Sequence, residues 1–373
     1  MIIAVNTRLL LKNKLEGIGW FAYESLKRIT QQHKEHKFIF IFDREYDEEF
    51  IFSDNITPVV IGPTTRHAFL WYYWFEFQIP KVLKKHKADL FLSPDGFLSL
   101  STDVKSLNVI HDLNFEHYPN DVPYFARRFY KKNFPKYAQK AKRIATVSNY
   151  SKNDIAKTYC ISPEKIDVVY NGSNEIFSPV SEEIKKQTKI KYTNNTDYFI
   201  YVGSMHPRKN ISRLLKAFDE FKKTSSSNIK LLIVGEKMWW ANDEEIVFAK
   251  MQFRNDVVFT GRLNAEELKN VYASALALTY VPYFEGFGIP LAEAMYSGIP
   301  IITSNITSMP EVVADAALLV DPFSIDSIKN AMLKISADEN LRKDLIEKGN
   351  IRKQNFSWQK TADGLWDSIE KCL

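Results

Sequence analysis

Two glutamates flank a glycine-rich turn in the second half of the chain. Glu285 precedes the turn and Glu293 follows it, with Gly286 and Gly288 between them. Glycine permits positive φ angles and a close approach of the backbone, and Pro290 suits the first turn of a helix. Such a turn directs backbone N–H groups and the positive end of a helix at one point. The segment therefore predicts a binding site for a phosphate or a pyrophosphate.

The two carboxylates are poor neighbours for bound phosphate, because like charges repel each other. Carboxylate oxygens do accept hydrogen bonds from hydroxyl groups. We therefore expect Glu285 and Glu293 to bind sugar hydroxyls, one on a hexose and the other on a ribose. The alternative is structural, since glutamates near the start of a helix also interact favourably with its dipole. The combination of glycines, proline and paired glutamates favours the binding site.

A second loop carries two adjacent cations, Arg208 and Lys209, just before a helix that is predicted to begin at Asn210. Cations at the start of a helix are electrostatically unfavourable unless an anion lies beside them. A bound diphosphate would supply that anion, whereas the alternative is a solvated pair on the surface. The position of the pair between a strand and a helix favours the diphosphate.

Short apolar runs alternate with segments of helical spacing along the whole chain, which is typical of βαβ units around a parallel sheet. The predicted strands of the first half are Ile2–Asn6, Phe38–Phe42, Pro58–Ile61, Asp89–Ser93, Ser106–Ile110 and Arg143–Val147. Those of the second half are Tyr198–Val202, Leu231–Val234, Val257–Thr260, Ala275–Val281, Ile299–Thr303 and Ala317–Val320. Ligands of such sheets bind beyond the carboxyl ends of the strands. A third loop there, which contains Leu263 and precedes a helix capped by Asn264, is a candidate lining for a base pocket.

The chain of 373 residues is too long for one hydrophobic core and suits two domains. We predict two doubly wound α/β domains, over residues 1–172 and 190–355. Turn-forming residues place the interdomain linker near 172–190. The closing segment, 356–373, is amphipathic and is expected to pack away from the sheet that precedes it.

Composition excludes several classes of protein. The net charge of +5 is small for this size and does not indicate nucleic acid as a partner. No apolar run is long enough to cross a bilayer, and the N-terminus reads as a strand and not as a signal peptide. The two cysteines, Cys160 and Cys372, lack a metal-binding motif and fit a reducing compartment. We expect a cytoplasmic protein.

Two stretches of the first half, residues 66–75 and 124–143, combine aromatic and basic residues. Exposed aromatics beside cations suit an anionic lipid headgroup layer. The hypothesis is peripheral contact with the membrane, near a lipid-linked glycan. The alternative is that the aromatics belong to the core and that the charges form a solvated face.

At its second-half loops the sequence resembles the retaining glycosyltransferases of family 4, which have the GT-B fold. Two motifs carry the resemblance: the Glu-x7-Glu pair from Glu285 to Glu293, and the Arg-Lys-Asn turn that ends at Asn210. Further similar segments are Gly17–Gly19, His111–Asp112, Ala145–Ser151, Tyr170–Gly172, Ser308–Val313 and Ala317–Pro322. The resemblance extends over nearly the full chain. It implies two Rossmann-like domains facing a cleft, with the final helix crossing back to the first domain.

The resemblance also implies a role for each site residue. Lys209 and Arg208 would neutralise the diphosphate leaving group, Glu285 would bind the donor sugar and Glu293 the ribose. Further donor contacts are implied for Gly17, Gly19, Ser204, Leu263, Gly286, Phe287, Gly288 and Ile289. Ser204 stands where many members have a second basic residue, a place that Arg208 can fill. His111 would help to place the donor sugar or the acceptor, with a buried structural histidine as the alternative.

The implied reaction transfers a hexose from a nucleotide sugar to an acceptor with the anomeric configuration kept. No side-chain nucleophile or cofactor is needed, and no metal is expected because the chain has no Asp-x-Asp pair. Similarity to bacterial mannosyltransferases of surface polysaccharide assembly favours GDP-mannose as donor and a glycan or lipid-linked glycan as acceptor. The rivals are a GT-B sugar-nucleotide epimerase, a non-catalytic sugar-binding protein and a dinucleotide-dependent oxidoreductase. The oxidoreductase is disfavoured because no Gly-x-Gly-x-x-Gly turn follows the first strand.

Overall fold

A computed structural model describes residues 1–236 and 242–373 of the chain. Their contacts divide the protein into two compact units. Unit 1 consists of residues 1–172 and 358–373, and unit 2 of residues 173–357.

The sheet of unit 1 has seven parallel strands in the order β3-β2-β1-β4-β5-β6-β7. The strands are β1 (Ile2–Asn6), β2 (Lys37–Phe42), β3 (Ile56–Val60), β4 (Leu90–Ser93), β5 (Lys105–Val109), β6 (Arg143–Thr146) and β7 (Ile166–Val168). The central strands are buried over nearly their whole length, because helices cover both faces of a doubly wound sheet. This is why they read as continuous apolar runs.

Helices connect these strands. They are α1 (Gly17–Gln32), α2 (Ala68–Tyr73), α3 (Ile79–His86), α4 (Asn114–His117), α5 (Tyr124–Lys140) and α6 (Asn149–Tyr159). A π-helical turn over Trp74–Gln78 joins α2 to α3, and 3₁₀ turns cover Glu48–Phe50, Pro119–Asp121 and Pro163–Lys165. The core beneath α2, α3 and α5 is aromatic: Phe97 contacts the rings of Phe75, Phe134 and Tyr137.

The sheet of unit 2 has six parallel strands in the order β10-β9-β8-β11-β12-β13. They are β8 (Tyr198–Val202), β9 (Lys230–Val234), β10 (Val257–Gly261), β11 (Ala277–Tyr280), β12 (Ile301–Ser304) and β13 (Leu318–Val320). Its helices are α7 (Glu182–Thr193), α8 (Ile211–Ser225), α9 (Asn242–Lys250), α10 (Ala265–Ala273), α11 (Ile289–Ser297), α12 (Met309–Val313), α13 (Ile325–Ala337) and α14 (Glu339–Arg352). Short 3₁₀ turns cover Pro207–Lys209, Arg254–Asp256 and Lys353–Asn355. Two parallel Rossmann-like sheets were predicted, and this prediction is confirmed.

The last helix, α15 (Trp358–Glu370), belongs to unit 1 and packs against α1. The Trp366 indole stacks on the His33 ring with 3.5 Å between ring centroids. The Thr361 hydroxyl donates to the carbonyl of Tyr170 at 2.7 Å. An apolar face of the helix thus becomes part of the core of unit 1.

Three local predictions differ from the structure. Strand β7 was not predicted, since its three residues are too few to show a pattern. The region taken as a linker contains α7, whose side chains pack on α10 within unit 2. Asn210 does precede α8, but it has a positive φ of 65° and its side chain does not cap the helix. The Asn210 amide instead donates to the carbonyls of Val281 and Pro322, at 2.9 and 2.7 Å.

Among the described helices, none has the length and apolar character that crossing a membrane requires. Cys160 and Cys372 are both free thiols.

Candidate active site

The order of the strands in unit 2 reverses between β8 and β11, so the connections leave these neighbours on opposite faces of the sheet. A crevice opens at such a point, beyond the carboxyl ends of the two strands. The Arg208–Lys209 turn follows β8, and the Glu285 loop follows β11. The sheet therefore brings together the two loops that carry the charged residues.

Glycines let the neighbouring loops at this edge approach each other closely. Gly203 and Gly235 directly follow β8 and β9, and Gly261 is the last residue of β10. All three have positive φ angles, of 147°, 144° and 70°. A Cβ atom on Gly235 would lie 2.0 Å from the carbonyl oxygen of Gly203. Since no side chain fits there, the backbone itself forms this part of the edge.

Glu285 is the centre of a charged cluster. Its Oε2 atom pairs with Nη1 of Arg208 at 2.5 Å and also with Nζ of Lys209. The same Lys209 Nζ donates to the hydroxyl of Tyr280 at 2.5 Å, and that hydroxyl lies 3.0 Å from Glu285 Oε2. Lys209 is buried, and Arg208 and Glu285 are largely so. Two cations thus share one carboxylate.

The cluster determines how Glu285 ionises. Burial acts to raise the pKa of Glu285, but the nearby charges of Arg208 and Lys209 outweigh it and lower the pKa to about 2. The carboxyl is therefore ionised throughout the neutral range. The sequence predicted that the two cations need an anion beside them and assigned that place to a diphosphate. The structure shows that Glu285 itself occupies it.

The glycine-rich turn is built largely as the spacing predicts. Gly288 has a φ of 89° and precedes α11, with Pro290 in its first turn and Gly298 at its end. Gly286 does not have a positive φ, so of the two turn glycines only Gly288 uses that freedom. A hydrogen bond from the residue that precedes α12 holds the loop in place: the Ser308 hydroxyl donates to the carbonyl of Glu285 at 2.8 Å. Phe287, within the loop, is buried, and Ile289 is partly exposed at the start of the helix.

Glu293 lies in the second turn of α11 in a different environment. Its Oε2 accepts a hydrogen bond of 2.7 Å from the hydroxyl of buried Tyr272, on α10. Burial raises the pKa of Glu293 to about 7, although the bond from Tyr272 acts to lower it. The two glutamates that the sequence treats as a pair therefore have opposite electrostatics. Glu285 is held as an anion, and Glu293 titrates near neutrality.

The remaining predicted donor contacts of unit 2 lie around this crevice edge. Ser204 is in the loop after β8, where its carbonyl accepts from the Tyr201 hydroxyl at 3.0 Å. Leu263 is partly exposed in the loop after β10. The adjacent Asn264 does cap α10, in a reciprocal capping box with Glu267. That part of the prediction is confirmed.

Two tyrosines at the site, Tyr280 and Tyr272, were not predicted. Tyr280 is hydrogen-bonded to Lys209 and Glu285, and Tyr272 is the partner of Glu293. In the sequence each occupies an apolar position of its strand or helix, where an aromatic ring indicates only burial. The one available signal is that a buried tyrosine hydroxyl needs a hydrogen-bonding partner.

His111 and the two glycines Gly17 and Gly19 are in unit 1. His111 follows β5; its Nε2 lies 2.8 Å from the carbonyl of Pro94, and its ring packs edge-on against Phe21. A carbonyl only accepts, so Nε2 carries the proton and Nδ1 is the acceptor of the neutral ring. Burial lowers the pKa of His111, against a smaller effect of the Pro94 bond, so the neutral ring dominates at pH 7.

The segment Gly17–Gly19, for which donor contacts are implied, is the first turn of α1. Neither glycine has a positive φ. Gly19 is buried under the preceding segment, where a Cβ would lie 3.1 Å from Leu15 Cδ2 and 3.3 Å from the Leu9 carbonyl. A side chain at this position would thus be in tight contact with Leu15 and the Leu9 carbonyl. The N–H groups of this first turn have no acceptor within the helix.

The crevice of unit 1, between β1 and β4, is occupied by a buried ion pair. Arg8 Nε and Asp95 Oδ2 are 2.6 Å apart, and the Asn6 amide donates to Asp95 Oδ1 at 2.9 Å. The Arg8 guanidinium also lies over the ring of Phe97, 4.2 Å from its centroid. These side chains are hydrogen-bonded to one another and form a polar surface at the carboxyl ends of β1 and β4.

Comparisons with known families and proteins match this architecture over most of the chain. A model of the family described as Glycosyltransferase Family 4 matches residues 15–175, and one described as Glycosyl transferases group 1 matches residues 180–352. O-antigen chain mannosyltransferase RfbU of Salmonella typhimurium is 30% identical over 332 residues, which cover 86% of this chain and 87% of the relative. O-antigen chain mannosyltransferase B of Escherichia coli is 28% identical over 282 residues, covering 74% and 73%.

Solved structures show the same fold at low identity. WaaG, a glycosyltransferase involved in lipopolysaccharide biosynthesis, superposes with a TM-score of 0.77 at 17% identity and covers 99% of both chains. The Anabaena protein HepE, in a complex with UDP-glucose, gives a TM-score of 0.78 at 14% identity, again with 99% coverage of both chains.

Proposed function

The chain belongs to glycosyltransferase family 4, and on that premise we propose that it transfers a hexose from a nucleotide sugar with retention of the anomeric configuration. The O-antigen mannosyltransferases among its relatives support mannose as the hexose and GDP-mannose as the donor. The proposed acceptor is a glycan or lipid-linked glycan of bacterial surface polysaccharide. The enzyme would meet it at the cytoplasmic face of the cell membrane, as a peripheral protein.

The observation that carries the proposal is the cluster of Arg208, Lys209 and Glu285 at the crevice of unit 2. Breaking the bond between a sugar and a nucleoside diphosphate transfers negative charge to the diphosphate. Preorganised cations stabilise such charge most strongly in a site with little water. Lys209 and Arg208 are held in place before the donor arrives, by bonds to Glu285, Tyr280 and the carbonyl of Phe284.

The internal ion pair gives Glu285 two successive roles in this proposal. Without donor, its carboxylate balances part of the charge of the two cations. A diphosphate, with at least two negative charges, competes for them and releases the carboxylate. Glu285 can then accept hydrogen bonds from hydroxyls of the donor sugar. Glu293 is proposed to accept from the ribose hydroxyls in the same way, and His111 Nδ1 from a hydroxyl of the donor sugar or the acceptor.

We propose that no metal ion takes part, because two side-chain cations already supply the charge that a metal would bring to the diphosphate. Transfer should then continue at an unchanged rate after dialysis against EDTA. Loss of activity that Mg²⁺ or Mn²⁺ restores would contradict this part of the proposal.

The replacement Lys209→Ala tests the role of the cluster. Removing one preorganised donor of a catalytic site typically costs roughly 10² to 10³ in rate, and a loss of this size is expected in kcat for mannose transfer. Lys222→Ala is the matched control, since Lys222 is equally buried and pairs with Asp256 at 2.8 Å at the far end of α8. Both variants lose a buried ion pair, but the control should lose stability only. Equal activity of the two variants would refute the role of Lys209.

The donor is tested by thermal unfolding in the presence of GDP, UDP, ADP and their sugars. A ligand at 100 times its dissociation constant stabilises the protein by about 2.7 kcal/mol. We expect GDP and GDP-mannose to give the largest shifts. A larger shift with a uridine or adenosine nucleotide would show that GDP-mannose is not the donor. It would not contradict the proposed sugar transfer.

A further inference from the structure

A groove in unit 1 lies between α2, with the π-helical turn that follows it, and α5. It encloses a volume of about 570 Å³. We call it the aromatic–basic groove, after the six lining residues that matter here: Phe69, Tyr72, Phe125, Arg128, Lys132 and Lys136. These six residues belong to the stretches 66–75 and 124–143, for which the sequence left open whether the aromatic residues lie in the core or on the surface.

The structure divides those aromatics into two groups. Trp74 and Phe75 are fully buried, and Trp71 stacks on Tyr130 within unit 1. Phe69 and Phe125, by contrast, expose 75% and 76% of their surface. An isolated exposed aromatic is ordinary, but here two of them stand at the rim of one groove, on different helices. They form an apolar rim that the fold itself does not cover.

The cations of the groove form one row. Arg128, Lys132 and Lys136 are four residues apart on α5 and therefore lie on the same face of the helix. Within the part of the chain that the structure describes, none of the three forms an ion pair, although neighbouring Lys131 approaches Glu116 at 3.8 Å. The row thus presents its charge to whatever occupies the groove.

The one carboxylate that lines the groove, Glu76, is already engaged. It accepts from the backbone N–H of Leu100 at 3.0 Å and from the hydroxyl of Ser101 at 2.6 Å. Three cations against this single anion leave the lining with two net positive charges. An anionic partner with an apolar layer beside its charges fits this surface.

We propose that the aromatic–basic groove binds the headgroup phosphates of an anionic lipid bilayer, with Phe69 and Phe125 entering the interfacial layer. Aromatic rings favour this layer, and lysine and arginine reach headgroup phosphates through their flexible stems. Several charges in a row match a surface of many headgroups better than a single small anion. The inference rests on the proposed function only for its purpose, which is to bring the enzyme to a lipid-linked acceptor.

Flotation with vesicles tests the binding itself. The wild-type protein should float with vesicles of phosphatidylcholine and phosphatidylglycerol, and not with phosphatidylcholine alone. Each cation near an anionic surface contributes roughly fivefold in affinity, so Arg128→Gln/Lys132→Gln/Lys136→Gln should weaken binding about a hundredfold. The matched control, Lys334→Gln/Lys343→Gln/Lys348→Gln, removes the same charge from exposed helices of unit 2 and should float like the wild type.

The double variant Phe69→Ser/Phe125→Ser tests the apolar rim and should weaken flotation while leaving the salt dependence in place. Wild-type protein that stays unbound, or equal flotation of the two triple variants, would overturn the proposal. Concentration-dependent dimerisation that the serine variant abolishes would also overturn it, because a second copy would then be the occupant. Thermal shifts that GDP induces in the same proteins test the proposed function independently, because they report nucleotide binding to unit 2 in the absence of lipid.

Discussion

The replacement Glu293→Gln should stabilise the protein at pH 8 and have almost no effect at pH 4.5. The pKa of this carboxyl is raised by burial from 4.5 to about 7. Below pH 4.5 it is protonated in the folded and unfolded states alike. As the pH rises to about 7, only the unfolded state ionises, and the folded state loses stability relative to it. Glutamine keeps the shape and can still accept the bond from Tyr272, but it never ionises.

The size of the effect follows from the two pKa values of Glu293. At about 1.4 kcal/mol for each pH unit between them, ionisation costs the folded protein at most about 3.5 kcal/mol. For a domain of the size of unit 2, that corresponds to a melting temperature roughly 7–14 °C higher for the variant at pH 8. Thermal unfolding at pH 4.5 and pH 8 measures it, with Glu266→Gln, a surface glutamate on α10, as control. A difference between wild type and variant that is the same at both pH values would refute the reasoning.

The same carboxyl predicts a pH dependence of nucleotide binding. If Glu293 accepts hydrogen bonds from the ribose, binding favours its ionised form, and affinity for GDP should rise by up to about tenfold per pH unit between pH 5 and 7. GDP titrates in this range as well, so the measured quantity is the difference between wild type and Glu293→Gln in calorimetric Kd. The variant should bind more weakly and lose the part of the pH dependence that the carboxyl causes. If Kd depends on pH in the same way in the two proteins, Glu293 does not bind the ribose.

Three further predictions concern single residues of unit 2. Tyr280→Phe removes a hydroxyl bonded to Lys209 and should lower the free energy of unfolding by about 2 kcal/mol, as read from melting curves. In steady-state kinetics, kcat should fall by a larger factor than KM changes, and an unchanged kcat would contradict this prediction. Gly288→Ala forces a side chain onto a φ of 89° and should cost about 1–3 kcal/mol and weaken GDP binding, while the contact with the flexible end of Met309 adds little. Asn264→Ala removes a helix cap and should cost about 1 kcal/mol with no change in transfer rate.

The strands of both sheets could be predicted from the sequence because they are buried on both faces. Tyr198–Val202 was predicted with the bounds that β8 has, and most other strands within two residues. Buried parallel strands consist of short apolar, β-branched runs, and turn formers punctuate them. The Glu285 loop could be predicted equally well. Gly288, Pro290 and Gly298 occupy positions before, within and after a helix that these residue types favour, whatever the distant contacts are.

Partners across the fold could not be predicted in this way. Asn210 looks like a helix cap in the sequence, but its amide binds two carbonyls from distant loops. The opposite pKa shifts of Glu285 and Glu293 also depend on the tertiary structure: the cations after β8 lower the pKa of Glu285, and burial raises that of Glu293. The division of the aromatics of residues 66–75 into core and surface likewise depends on where α5 packs.

The sequence by itself determined the type of most elements and the charged residues and glycines of the crevice, because local periodicity and turn chemistry are written along the chain. Only the tertiary structure decided which of those residues meet. Strands β8 and β11 are adjacent in the sheet although β9 and β10 separate them in the chain. This reversal of strand order puts Lys209 beside Tyr280 and Glu285. The two cations then lower the pKa of Glu285 to about 2, whereas burial raises that of Glu293 to about 7.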